Sequence, residues 1–263
     1  MKRLTAVLIA LACAAALLGG CGDGEEEPTA AASPTATEEA PPSPPVPSPT
    51  LSPEERAEVE ALLKSMAITP ENDMPPGFTL DQEGFNTNEE AAEDYPEGEE
   101  QGLADYTRWG RLLGYRATYS TEPSLPTMTT GGTIGIQIRL ALYADSAGAS
   151  AAMAEAKDRL ADPERRAGLV QQFEEENPQF EDVVLEPMSF GQVGDDTSGY
   201  QLTGTVVDIE LGIAADAVYQ VFSIRRGRAL GAVMVGAIHE ASPIEELEAM
   251  AQKLDQRMAE ALE

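Results

Sequence analysis

The residues able to do chemistry in this chain are few. Its one histidine, His239 in Ala237-Ile238-His239-Glu240, can act as a general base or sit plainly in a surface loop, but alone it cannot build a multi-histidine metal site. Gly194-Asp195-Asp196-Thr197-Ser198-Gly199 brings two carboxylates together. A proton-sharing carboxylate dyad needs two Asp-Thr-Gly copies, and here Ser198 interrupts the single candidate, so a turn before a strand is the reading. No serine stands in a Gly-x-Ser-x-Gly elbow, and neither a phosphate loop nor a dinucleotide fingerprint follows a strand. We therefore name no catalytic residue and no cofactor. Arg225, Arg226 and Arg228 form the most basic cluster. At a hairpin end they suit a phosphate, a sulfate or an acidic partner, or ion pairs with the chain's own acids. The sole tryptophan, Trp109 in Arg108-Trp109-Gly110-Arg111, is either a core anchor or a ligand platform. Arg225, Arg226, Arg228, Trp109 and His239 are thus the candidate contacts for a ligand or partner.

The elements that must position them can be read from periodicity. Ser52-Pro53-Glu54-Glu55 is a capping box with proline at the first helical position, and Leu62, Leu63 and Met66 give a helix of about 53–67 an apolar stripe. Between Lys64 and Arg108 no Lys or Arg occurs, and an acidic loop stretch of about 71–107 is expected, with short helical turns at 88–94 and 102–109. Ile134, Ile136, Ile138, Leu140 and Leu142 alternate and predict a half-buried strand over 133–143. Asp145 caps an alanine-rich helix to about 160, and Asp162-Pro163-Glu164 starts another that ends before Pro178. Further strands are expected at 111–119, 182–190, 199–209, 216–225 and 229–237, the last two joined as a hairpin by Arg226-Gly227-Arg228. Ser242-Pro243-Ile244-Glu245 opens a closing amphipathic helix. Gly114-Tyr115-Arg116-Ala117-Thr118 resembles Gly199-Tyr200-Gln201-Leu202-Thr203, which suggests two related halves. The expectation is a single α+β domain over 53–263, an antiparallel sheet with flanking helices.

The N-terminus is of another kind. Lys2 and Arg3 precede an apolar run from Leu4 to Leu18 of about 15 residues, shorter than the roughly 20 needed to span a bilayer, so 1–20 reads as a signal peptide. Leu18-Gly19-Gly20-Cys21 resembles the lipobox of bacterial lipoproteins. That resemblance implies cleavage after Gly20, lipidation of Cys21 (a diacylglyceryl group, then palmitate-like acylation) and a protein held at the cell membrane on its extracytoplasmic side. Residues 21–52, rich in Pro, Thr, Ser and Glu, read as a disordered linker. At about 3.1 Å per residue it spans roughly 90 Å. Of the two cysteines, Cys13 lies inside the signal and Cys21 at its end, so the folded part has none for a disulfide, a thiolate metal site or a nucleophile. The body, strand-rich and closing on a hairpin and a helix, resembles in architecture small exported lipoproteins of the PsbP-type fold.

Charge narrows the function. With 46 Asp+Glu against 17 Lys+Arg the net charge is −29, which repels phosphate backbones, so nucleic acid is not an expected partner. The acidic stretch lacks the Asp-x-Asp-x-Asp-Gly spacing of a calcium loop, and no metal site is assigned. The expected function is a non-catalytic, membrane-anchored lipoprotein that binds a small ligand or protein partner at the cell envelope. The alternatives are a carboxylate-dependent hydrolase, with His239 assisting, and a structural envelope component.

Overall fold

The computed structural model describes residues 51–121, 131–208, 213–239 and 244–263. The signal peptide, Cys21, most of the linker and the Ser242 cap lie outside them. Helix α1 (Pro53–Met66) begins as its sequence dictates: the Ser52 hydroxyl accepts from the Glu55 N–H while the Glu55 carboxylate accepts from the Ser52 N–H. After a single turn, α2 (Pro70–Asp73), come β1 (Thr79–Asn86), α3 (Asn88–Ala92), α4 (Glu99–Arg108), β2 (Arg111–Ser120) and β3 (Gly132–Tyr143). Then follow α5 (Ser146–Ala161), α6 (Pro163–Glu176), β4 (Phe180–Pro187), β5 (Asp196–Asp208), β6 (Ile213–Arg226), β7 (Ala229–Ile238) and α7 (Ile244–Leu262). Asp145 caps α5 through the Gly148 N–H, and Asp162 caps α6 through the N–H groups of Glu164 and Arg165. Gly227, at φ +53°, turns β6 into β7.

All seven strands form one open antiparallel sheet in the order β1-β2-β3-β7-β6-β5-β4, so the protein is α+β. One face is covered by α1 and α7, over a core of Leu113, Tyr115, Ile136, Ile138, Leu140, Phe222, Ile224, Val233 and Val235. The other is covered by α5 and α6, over Tyr200, Leu202, Tyr219, Val221, Ala232 and Met234.

Two sequence expectations change. The stretch 71–107 contains a strand as well as helical turns. β1 pairs only with β2, and the pattern Thr79-Leu80-Asp81-Gln82-Glu83-Gly84 is exposed at every position, so no buried period betrays it. Charged side chains on an outermost strand also blunt its unpaired edge. β3 in turn is buried on both faces, because α5 roofs its polar side: Gln137 is 1% exposed. A register shift between Thr133 and Gly135 also carries Ile134 into the core opposite to its alternating partners.

The order of strands is symmetric about β7. Rotation about β7 by half a turn carries β1, β2 and β3 onto β4, β5 and β6 and exchanges the faces. Accordingly α1 precedes β1 on one face and α6 precedes β4 on the other, while Tyr115 and Tyr200 face opposite cores. The two Gly-Tyr fragments lie in the middle strands β2 and β5, with Gly114 level with Leu230 of β7 and Gly199 level with Val233.

Candidate functional site

The matching halves differ most in what joins their first two strands. In the second half β4 and β5 are linked by 188–195, and the Phe190 ring closes over the sheet against Phe222, with centroids 4.3 Å apart. In the first half the link is the α3–α4 insert, which arches away from the sheet. Thr87 and Glu90 start α3 with a second capping box, and Gln101 and Arg108 reach Asp105 on α4. Beneath the arch, bounded by α5 and by β2, β3 and β7, lies a cleft of about 1030 Å³ measured out to its open mouth.

Arg111 fastens the arch. Its guanidinium, 5% exposed, donates to Asn86 Oδ1 at 2.9 Å, Asn88 Oδ1 at 2.9 Å and the Thr87 carbonyl at 3.1 Å, and lies over the Tyr106 ring at 4.9 Å. Burial pushes it below its ordinary range, and carbonyl oxygens rather than carboxylates satisfy it. A Cβ at Gly114 would run into the Arg111 guanidinium and the Asn86 carboxamide, so only glycine leaves them room there. The wall is aromatic. Tyr95 and Tyr106 meet edge to face at 5.5 Å and Tyr106 and Trp109 at 6.1 Å, and Tyr143 continues the lining from β3. Burial raises the hydroxyls of Tyr95, Tyr106 and Tyr143, so all three are neutral donors at ordinary pH. On the α5 side stand Ala152, Met153, Ala156 and Arg159. Arg159 is committed: it holds Glu97 at 2.9 Å and lies over the Tyr95 ring at 4.8 Å. Arg165 ties the same Glu97 to Glu155.

Two arginines on the floor are not committed. Arg116 on β2 stands directly opposite Arg139 on β3, and both side chains line the cleft. Arg139 Nε donates to Gln137 Oε1 at 2.9 Å. Among the described residues neither guanidinium meets a carboxylate at ion-pair distance, and Arg116 makes no side-chain hydrogen bond. Burial first, and Arg116 second, hold Arg139 down to about 10. Asp94, exposed on the rim, is a carboxylate lining the cleft that makes no ion pair among the described residues.

Of the residues singled out from sequence, only Trp109 lines this cleft, ending α4 with Arg108 over its ring at 5.6 Å. Arg225 pairs with Asp195 at 3.2 Å; Arg226 pairs with Asp255 and, at 3.4 Å, with Asp195. Arg228 donates to the Tyr143 carbonyl at 3.4 Å. His239, at φ +54°, follows β7, and its N–H donates to the Asp216 carbonyl. Arg116 and Arg139 escaped sequence reasoning because their opposition depends on a pairing register that no local pattern encodes.

No protein-family model matches the sequence, and neither does any curated protein. Among the solved structures that the chain matches, two are from Mycobacterium tuberculosis. The extracellular domain of PknH is 8% identical over 78% of this chain and 91% of that one, with a TM-score of 0.40. LpqN, described as involved in cell envelope biogenesis, is 12% identical over 70% of this chain and 78% of that one, with a TM-score of 0.24.

Proposed function

We propose that the chain is a lipoprotein anchored through Cys21 on the extracytoplasmic side of the cell membrane, whose body is a non-catalytic binding module taking a small ligand in the cleft beneath α3 and α4. The anchor is supported by Leu18-Gly19-Gly20-Cys21 and the proline-rich spacer behind it. The observation that carries the binding reading is the cleft itself, bounded by a sheet floor and a wall of aromatic rings, with a few convergent polar groups. A tether of this kind keeps such a module at the envelope while leaving its mouth open to solutes.

The anchor is tested by Cys21→Ala, which should release the protein or leave uncleaved precursor; a mature mass without lipid refutes it. The cleft is tested with the neutral dye N-phenyl-1-naphthylamine, read through its own emission and through quenching of Trp109 on the wall. Saturable binding is expected, lost in Ala156→Phe, which places a ring into the cleft from α5. No binding by the parent protein, or undiminished binding by the variant, overturns the reading.

A further inference from the structure

Resting on the cleft reading, we infer that its ligand is a small organic anion: an apolar or aromatic body carrying one carboxylate, phosphate or sulfonate group, which docks between Arg116 and Arg139. The argument begins from a cost. Like charges directly opposite on neighbouring strands destabilise a sheet, and two half-buried guanidinium groups have only part of the water that would screen them. The fold does not require them. With the two Gly-Tyr fragments aligned, which adds a shift of three residues along β7 to the half-turn, Arg116 matches Gln201 and Arg139 matches Gln220, which also stand opposite each other, on the other face. There Gln220 Nε2 donates to Gln201 Oε1 at 2.8 Å, a neutral pair joined by a hydrogen bond. At one of the two aligned positions the chain thus carries a neutral hydrogen-bonded pair, and at the other a repelling pair that a bound anion would complete.

The surroundings set the rest of the ligand. Arg111 and Arg159, the other cations on the cleft, already have partners, so the cations without a carboxylate at ion-pair distance are Arg116 and Arg139, with Asp94 of the rim acting on Arg139 only from farther away. Two forked donors facing one another suit the oxygens of a single planar or tetrahedral anion. Tyr106, Trp109 and Tyr143 supply the surface for its apolar body. Although the chain is strongly acidic overall, charges beyond about 8 Å are largely screened at physiological ionic strength, so the local pair governs what binds. That same acidic exterior opposes contact with an anionic bilayer, which favours a free solute over a lipid headgroup.

The test compares two dyes with one ring system, the neutral N-phenyl-1-naphthylamine and the anionic 8-anilinonaphthalene-1-sulfonate. The sulfonate should bind about tenfold or more tightly. Arg116→Gln and Arg139→Gln should each erase that preference while leaving the neutral dye's affinity within about twofold. Phenyl phosphate should displace the sulfonate dye from the parent protein, and phosphatidylglycerol vesicles should not. Equal affinity for the two dyes, a preference that survives both substitutions, or displacement by vesicles alone overturns the inference. If the neutral dye still binds and Ala156→Phe still excludes it, the cleft reading stands while the anion falls. If neither dye binds, both fall.

Discussion

Replacing Arg116 or Arg139 by glutamine should stabilise the ligand-free protein, against the usual expectation for a substitution in a sheet. Facing residues place their Cβ atoms about 5 Å apart, which puts the two guanidinium charges within about 7 Å. At an effective dielectric of about 20 that separation corresponds to about 2 kcal/mol of repulsion, and partial exposure reduces it to about 1. Each single variant should therefore gain about 1 kcal/mol, raising Tm by about 2–4 °C in a domain of this size. Because either substitution removes the same repulsion, the double variant should gain little beyond one single, and it installs the Gln–Gln pair already present between Gln201 and Gln220. Linkage gives a second readout. Burial and Arg116 hold the Arg139 guanidinium down to about 10, so its charged form opposes folding, and because it stays charged through neutral pH the gap between Arg139→Gln and the parent should be flat there. Urea titrations of the parent, both singles and the double form the cycle, with Arg159→Gln as a contrast. Arg159 bridges α5 to Glu97, and its loss should cost about 2 kcal/mol. If Arg116→Gln and Arg139→Gln destabilise as Arg159→Gln does, or if their effects simply add, the reasoning is refuted.

Two further outcomes follow from contacts that hold the arch and the edge. Lys64, first, and then Tyr115 donate to the Glu83 carboxylate and hold it below the usual range, so its contribution is present above about pH 4.5 and lost as pH falls through its folded value. Glu83→Gln should cost up to about 1 kcal/mol at pH 7 and nothing at pH 3, measured by urea unfolding; an equal loss at both pH values would show that the charge is irrelevant. Gly114→Ala should cost about 2–3 kcal/mol and weaken neutral-dye binding, because the added methyl separates Arg111 from Asn86 and loosens the arch; an unchanged Tm counts against that account.

What could be read from the sequence follows what is local. Capping at Ser52, Asp145 and Asp162, the alternation along β3 and the glycine turn at Gly227 are written within a few residues each, and the helices and the hairpin appeared where those signals put them. β1 was hidden because an edge strand with solvent on both sides carries no period. The double burial of β3 was hidden because its polar face is covered by α5, a helix whose packing on the sheet no local pattern in β3 announces. Trp109 was legible as a residue worth asking about. Arg116 was not, since its meaning lies in Arg139, a partner across the sheet. The arginines that were conspicuous in sequence, Arg225 and Arg226, are conspicuous through adjacency alone, and Asp195 and Asp255 already hold them.

The near-symmetry about β7 supplies a criterion for separating what the fold needs from what it carries. Features present in both halves, such as the opening helix, the three-stranded unit and the glycine before each tyrosine, are accounted for by building an open sheet with two covered faces. Two features break the correspondence. One is the α3–α4 insert, which lifts the roof where Phe190 lowers it in the other half; the other is the Arg116–Arg139 pair, where the other half has Gln201–Gln220. Unrelated departures would be expected to fall apart from one another. These meet in the same cleft, the insert making the space and the arginines making it costly to leave without an anion.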